Sequence, residues 1–277
     1  MNVRSYQIEV LNRLEPLKLK GFKVVSMGNV AFGTTKYPMR CVIAQGKIPA
    51  AHNVFISAGI HGDEPAGVYA TLSFLENKIH DYLPYFNFVI CPCLNPGGFE
   101  DNTMDNPQGI NLNRNFLAAN PAQEVELIKK FLMEHIRQYL FAIDMHEDDS
   151  YRPVDGFTVA DSPREFYLYE VTPDKKLRLG HKILKRLENN GITVCKKKKI
   201  YYEINEEGLV WSPGLITDPN YIDKETLDGH LQRYTSHAMV TETPTCWSFD
   251  HRVQTQMAAL ESIMEEFKIR IKPTVLA

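Results

Sequence analysis

Two residues of types that bind metal ions stand three positions apart in the stretch GIHGDEPAG, residues 59–67. His61 and Glu64 lie between glycines there, directly after the apolar run VFISA. A catalytic zinc ion takes three protein ligands, commonly two histidines and a glutamate, and keeps a further position for water. The stretch is therefore either an ordinary polar turn at the end of a strand or half of a metal site.

Two later apolar segments also end in polar residues. His146 stands in the segment DMHED, and Glu242 stands in the segment TETP. Ligands of open α/β sheets bind in the crevice outside the carboxyl ends of the strands, so we expect these ends to lie together. His146 would then join His61 and Glu64 as the third metal ligand. Glu242 ends an apolar strand, and burying a charge there costs free energy unless the residue has a partner or a function. We expect Glu242 not to bind the metal and to take a proton from the attacking water.

Two further polar features fit the same cleft. Asn113 and Arg114 stand in the segment GINLNRNF, where an arginine is bracketed by asparagines without a helical or strand pattern. A guanidinium group binds a carboxylate with two parallel hydrogen bonds, and a neighbouring amide adds a donor, so this pair would recognise a free α-carboxylate. Asp144, two residues before His146, is either a strand-end cap or the acceptor for the second ring N–H of that histidine.

The elements that must position these residues alternate between strand and helix. Apolar segments predict strands that include Val54–Ile60, Phe86–Leu94 and Ala238–Glu242, and Pro65 predicts the start of a helix. Two short strand candidates, Gly156–Ala160 and Phe166–Glu170, lie in a loop-rich region. The alternation predicts a single α/β domain over residues 1–277 with a mostly parallel or mixed sheet.

Composition narrows the class of protein. The 277 residues have a net charge of -3 and a pI near 6.3, which argues against nucleic-acid binding. No apolar run approaches the length of a membrane span, and the N-terminus lacks the apolar core of a signal peptide. Five scattered cysteines suit a reducing compartment, so we expect a cytoplasmic protein. Cys91 and Cys93 are interpreted as small core residues, with thiol ligands as the alternative.

At this point the sequence resembles a known family. The segments HGDE, NPGGF, GINLNRNF, DMHED and TETP, in this order, resemble the motifs of the zinc carboxypeptidases, the carboxypeptidase A-like metallopeptidases. The HGDEPAG stretch and the small size are also similar to the sister branch of succinylglutamate desuccinylase and aspartoacylase, which removes acyl groups from amino acids. The resemblance covers about residues 53 to 246, most of the chain.

The resemblance implies a fold and a set of roles. The fold would be an eight-stranded mixed sheet with helices on both faces. One Zn²⁺ ion would be held by His61, Glu64 and His146, with Glu242 as general base and then general acid. Asn113 and Arg114 would bind the terminal carboxylate of the substrate.

The sequence departs from the family pattern in two places. The family carries another arginine, which stabilises the oxyanion, between its NPxG and NxNR segments, but residues 95–113 contain no Arg or Lys. Arg152 is a possible replacement. The family also has a tyrosine about twenty residues before the late glutamate, and the spacing leaves Tyr221 and Tyr234 as alternatives.

Three functions follow from these patterns. The first is a zinc metallocarboxypeptidase that hydrolyses a C-terminal peptide bond. The second is a zinc-dependent N-acyl amino acid deacylase or an amidase acting on a cell-wall peptide. The third is a peptide-binding homologue with impaired catalysis, which the missing arginine favours and the off-metal Glu242 disfavours. The expected partner is a small peptide or N-acyl amino acid with a free carboxylate, without nucleic acid or membrane.

Overall fold

Ten strands form one mixed sheet in the computed structural model, which describes residues 4–46, 52–135, 138–154, 156–215, 217–218, 223 and 225–275. The strands are β1 (Lys23–Phe32), β2 (Thr35–Ala44), β3 (His52–Ala58), β4 (Phe86–Cys91), β5 (Phe141–Asp148), β6 (Tyr167–Val171), β7 (Lys199–Ile200), β8 (Glu203–Glu206), β9 (Leu209–Ser212) and β10 (Ala238–Pro244). Their order across the sheet is β1-β2-β4-β3-β5-β10-β6-β9-β8-β7.

The sheet is parallel at its centre and mixed towards the β7 edge. Strands β4, β3, β5 and β10 run parallel to one another, and β6 is parallel to β9. The pairs β1–β2, β2–β4, β10–β6, β9–β8 and β8–β7 are antiparallel. The predicted α/β class and mixed sheet are confirmed, but the expected count of eight strands is wrong. The short strands β7 and β8 extend the edge of the sheet through backbone hydrogen bonds. Their sequences have only a weak apolar pattern, which does not predict strands.

The helices are α1 (Asn12–Leu14, inside a longer helical segment over residues 7–20), α2 (Pro65–Asn77), α3 (Ile79–Tyr82), α4 (Pro96–Asp101), α5 (Gln123–His135), α6 (Gly180–Asn189), α7 (Leu227–Leu231) and α8 (Phe249–Val275). The predicted helix start at Pro65 is confirmed. The strand predicted at Phe166–Glu170 is present as β6, whereas Gly156–Ala160 is a turn.

One apolar core surrounds the central strands. Strand β5 is buried along its whole length, so both of its faces are covered, as expected for a central parallel strand. Helices α2 and α8 pack together above this region, and the ring of Phe141 on β5 stacks on Phe267 of α8. Cys91 and Cys93 lie in the core as predicted. Among the described residues, no helix is long and apolar enough to cross a membrane.

The strand register brings the polar strand ends together. In the parallel pair of β5 and β10, His146 lies directly opposite Glu242. In the parallel pair of β3 and β5, Ala58 lies opposite Met145, the residue before His146. The chain leaving β3 therefore reaches His61 and Glu64 at the carboxyl ends of the central strands, which is where an α/β sheet binds its ligands.

Candidate functional site

Three buried side chains converge at the ends of β3 and β5. Glu64 lies between two imidazoles, with Oε1 2.7 Å from Nδ1 of His61 and Oε2 2.8 Å from Nδ1 of His146. One ligand atom from each of the three residues lies within 4.8 Å of the others. Two imidazole nitrogens and one carboxylate oxygen in this arrangement can hold a metal ion, and among the described residues no other group of this kind occurs.

The charges of His61, Glu64 and His146 attract one another, as the pKa shifts of Glu64 and His146 indicate. Burial would raise the pKa of Glu64, but the adjacent His61 and His146 outweigh burial and lower it. Burial would lower the pKa of His146, but Asp144 and Glu64 raise it well above its ordinary value. The carboxylates of the cluster therefore favour a positive charge next to them. A metal cation can supply this charge in place of the protons on the histidines, because metal binding requires deprotonated ligands.

Hydrogen bonds behind the imidazoles fix their orientation. Nε2 of His146 lies 2.9 Å from Oδ2 of Asp144, whose other oxygen accepts a 2.8 Å bond from the Ser57 hydroxyl. Nε2 of His61 lies 3.3 Å from Oδ1 of Asn111. Asp144 therefore occupies the acceptor position that the sequence suggested for it. The Nδ1 atoms of both rings face Glu64. A neutral ring that donates its Nε2–H to these partners presents an unprotonated Nδ1, the form that binds a metal ion.

Glu147, which the sequence did not single out, makes a hydrogen bond to Glu64 and links it to two helices. The backbone N–H of Glu147 donates to Oε2 of Glu64 at 3.0 Å. The Glu147 side chain accepts from the N–H of Ala66 in the first turn of α2 at 2.8 Å, and it also pairs with Arg252 of α8. Gln256, one helical turn further on, donates to the carbonyl of His146 at 2.6 Å. Helix α8 thereby holds the end of β5 in place.

Close backbone packing explains the glycines around His61. A Cβ atom on Gly62 would lie 2.0 Å from the carbonyl carbon of Gly98, in the first turn of α4. Asn95 caps that helix, because its Oδ1 accepts the Gly98 N–H at 2.9 Å. The NPGG segment thus forms a capped helix start pressed against the turn that carries His61, and a side chain at Gly62 has no room.

Glu242 lies beside the cluster without belonging to it. It shares a cavity of about 240 Å³ with His61, Glu64 and His146. Burial raises the pKa of Glu242 well above its ordinary value; His146 opposes the shift and the Glu64 and Asp148 carboxylates add to it. A carboxylate with increased proton affinity, next to a metal site, has the properties of a general base.

Asn113 and Arg114 line the same cavity. Asn113 is buried, and its Oδ1 accepts the backbone N–H of Leu227 at 2.8 Å. Arg114 is exposed, and its Nη1 donates to the Asn113 carbonyl at 2.9 Å. The structure therefore brings all six sequence-predicted residues to one cavity: His61, Glu64, Asn113, Arg114, His146 and Glu242.

The suggested substitutes for family residues lie elsewhere. Arg152 pairs with Asp63 at 3.0 Å and with Asp149 at 2.9 Å, and it does not line the cavity. Tyr234 packs beside His230, also away from the cavity, and Tyr221 lies outside the described residues. Eight further lining residues were not singled out from the sequence, namely Tyr169, Tyr201, Tyr202, Glu203, Asp223, Thr226, Asp228 and Val240. Tyr169 and Val240 stand on predicted strands, but no motif marked any of the eight as part of a site.

One protein family has a model that matches part of this chain. Residues 50–168 match the family model of the succinylglutamate desuccinylase/aspartoacylase catalytic domain. Over this segment the chain is similar to that domain. The matched segment contains His61, Glu64, Asn113, Arg114 and His146, but it ends before Glu242. No curated protein sequence matches the chain.

Solved structures share the fold at low sequence identity. A protein of Shewanella denitrificans, provisionally described as a metallopeptidase, is 22% identical with a TM-score of 0.72, over 94% of this chain and 88% of the other. A metallo-carboxypeptidase of Burkholderia cenocepacia is 14% identical with a TM-score of 0.62, over 93% and 68%. The product-bound cell shape determinant protein Csd4 of Helicobacter pylori is 18% identical with a TM-score of 0.59, over 83% and 55%.

Proposed function

We propose that this chain is a zinc-dependent metallocarboxypeptidase that hydrolyses the C-terminal peptide bond of a small peptide. The observation that carries the proposal is the single cavity shared by the His61–Glu64–His146 cluster, Glu242 and Arg114. A hydrolase of this type needs a metal site, a base that is not a ligand, and a cation for the substrate carboxylate. The similarity to metal-dependent hydrolases, including carboxypeptidases, supports the same class.

The chain's own residues have separable roles in this proposal. His61, Glu64 and His146 would hold a zinc ion, which would act as a Lewis acid towards water and the scissile carbonyl. A carboxylate oxygen of Glu242 takes the proton from the attacking water and then donates it to the leaving amine nitrogen, because the same group can act in both directions. The Arg114 guanidinium and the Asn113 amide hold the terminal carboxylate and so fix the substrate.

The absence of an arginine from residues 95–113 leaves the oxyanion with one donor fewer than in the resembled family. Removal of one oxyanion donor costs an enzyme about 10²–10³ in kcat. We therefore expect a slow peptidase rather than an inactive one. The reducing compartment suggested by the five free cysteines makes this a cytoplasmic activity in our proposal.

The decisive variant is Glu242→Gln, which keeps size and removes the base. We expect it to bind as much zinc as the wild type, measured by elemental analysis, and to lose at least about 100-fold in kcat on peptides. Glu206→Gln is a matched control, because Glu206 pairs with Arg178 outside the cavity. Persistence of peptide hydrolysis in Glu242→Gln would refute the assigned base.

A substrate panel tests the reaction itself. Wild-type protein loaded with zinc should release the C-terminal residue from dipeptides and longer peptides. If N-acyl amino acids are cleaved and peptides are not, the deacylase alternative replaces this proposal. If zinc neither copurifies nor binds when added, the metal-site interpretation fails, and with it the proposed function.

A further inference from the structure

The hairpin of β7 and β8 ends in a turn with a strained backbone. Ile200 pairs with Glu203, which leaves Tyr201 and Tyr202 as the two residues of the turn. Tyr201 has a φ of 49°, in the left-handed region that glycine and asparagine usually occupy in such turns. A bulky residue in this conformation costs free energy, and strain of this kind clusters where proteins bind ligands. The turn is therefore a candidate for a functional role.

A buried carboxylate holds Tyr201 in this conformation. The Tyr201 hydroxyl lies 2.8 Å from Oδ1 and 3.0 Å from Oδ2 of Asp148, and the Tyr167 hydroxyl donates to the same Oδ2 at 2.6 Å. Asp148 is the last residue of β5, two positions after His146. Tyr167 lies directly opposite Glu242 in the pair of β6 and β10. These hydrogen bonds fix the turn beside the metal-binding cluster and the proposed base.

Tyr202, the second residue of the turn, presents an exposed aromatic ring at the cavity. It lines the cavity and is 74% exposed. The centre of its ring lies 4.5 Å from that of Phe157, and a Cβ atom on Gly156 would lie 2.3 Å from its hydroxyl, so the loop after β5 packs closely against it. Phe157 also contacts the ring of Tyr201, at 5.2 Å between centres. We call Tyr201, Tyr202 and Phe157 the aromatic rim.

The aromatic rim and the proposed carboxylate-binding pair contact different walls of the cavity. Asn113 accepts the N–H of Leu227 in α7, whereas Tyr201 donates to Asp148 at the end of β5. The cavity volume of about 240 Å³ is below the about 300–1,000 Å³ that is usual for pockets enclosing a small ligand. A peptide whose terminal carboxylate is held at Asn113 therefore extends out of the cavity, with the residues on the N-terminal side of its scissile bond next to the aromatic rim.

From this we propose that the aromatic rim is a subsite that selects peptides with aromatic or large apolar side chains on the N-terminal side of the scissile bond. The ring of Tyr202 can pack against such a side chain, because most of its surface is exposed. The hydrogen bonds of Tyr201 to Asp148 hold the rim in place before the substrate binds, so less conformational entropy is lost on binding. The inference rests on the proposed function, and it names the substrate class of the same site.

The test compares two tripeptides, Phe-Phe-Ala and Gly-Gly-Ala, which share the terminal alanine and differ only in the preceding side chains. Binding is measured with the zinc-loaded full chain carrying Glu242→Gln, so that the peptides are not consumed. Calorimetric titration should give at least about tenfold tighter binding of Phe-Phe-Ala, as expected from the burial and stacking of aromatic rings. Equal affinities, or Phe-Phe-Ala binding too weak to measure, would overturn the inference.

Variants in the same background assign the preference to the aromatic rim. Tyr202→Ala should reduce the affinity for Phe-Phe-Ala about tenfold and leave that for Gly-Gly-Ala unchanged, which also reports that the variant is folded. Tyr151→Ala is a matched control that should change neither value, because Tyr151 is 64% exposed but does not line the cavity. A preference for Phe-Phe-Ala that survives Tyr202→Ala, or that Tyr151→Ala abolishes, would refute the assignment.

Activity separates this inference from the function on which it rests. The zinc-loaded wild type should cleave Phe-Phe-Ala with a higher kcat/KM than Gly-Gly-Ala. If Phe-Phe-Ala is bound preferentially but neither peptide is cleaved, the aromatic subsite stands and the carboxypeptidase proposal fails. If both peptides are cleaved with equal kcat/KM, the carboxypeptidase proposal stands and the aromatic subsite fails.

Discussion

Replacement of Glu203 by glutamine should make the protein more stable at pH 8. The carboxyl group has a pKa of about 7 in the folded protein against an ordinary value of 4.5, because it is buried and lies near Asp223 and Asp228. Its ionised form is therefore disfavoured by folding. Glutamine has the same shape, carries no charge and can still accept the hydrogen bond of Tyr169.

The shift sets the size of the effect. A pKa difference of about 2.5 corresponds to at most about 3.5 kcal/mol, since each unit is worth about 1.4 kcal/mol. Glu203 is partly exposed, and solvent screening reduces the expected gain in the free energy of unfolding to about 1–2 kcal/mol. Because the folded-state pKa is the raised one, the penalty is absent well below the unfolded pKa near 4.5, grows as the pH rises, and is complete above about 7.

Urea unfolding at pH 8 and pH 5, with the same zinc concentration, measures this effect. The stabilisation by Glu203→Gln at pH 5 should be about a quarter of that at pH 8. Glu206→Gln is a control of opposite sign, because Arg178 lowers the pKa of Glu206 and the substitution removes that ion pair. No gain at pH 8, or an equal gain at both pH values, would show that ionisation of Glu203 is not opposed by folding.

Three further predictions test the surroundings of the metal cluster. Gly62→Ala should destabilise the protein severely in thermal unfolding, because its Cβ would overlap the Gly98 carbonyl carbon, and normal stability would contradict this packing. Arg252→Met should cost about 3–5 kcal/mol in urea unfolding by leaving the buried Glu147 without its cation, and a loss below 1 kcal/mol would count against that role. Zinc should raise the melting temperature of the wild type but not of His146→Ala, and the same rise in both would exclude His146 as a ligand.

Much of the candidate site could be predicted from the sequence, because its residues stand at the ends of recognisable strands. Apolar runs located β3, β5 and β10, and the rule that ligands bind at the carboxyl ends of such strands grouped His61, His146 and Glu242. The segment GINLNRNF indicated Asn113 and Arg114 through residue type alone. The six residues line one cavity because strand ends converge in a sheet with parallel central strands.

Other features depended on the tertiary structure. Nothing in the sequence of α8 indicated that Arg252 and Gln256 reach the end of β5. The acidic residue Glu203 comes from the short strand β8, next to the sheet edge, and Asp223 comes from a turn; the sequence sets no register in either. The two extra strands over the expected eight arose in the same way, from backbone pairing at a sheet edge.

The sequence by itself thus indicated the six candidate site residues, because residue type and strand position are local properties. Only the tertiary structure decided what surrounds them. The parallel register placed Glu242 opposite His146, and segments distant in the chain brought the acidic side chains to the same cavity. The interaction between charged side chains depends on the distances between them, and for side chains from separate elements those distances are set by packing rather than by sequence spacing.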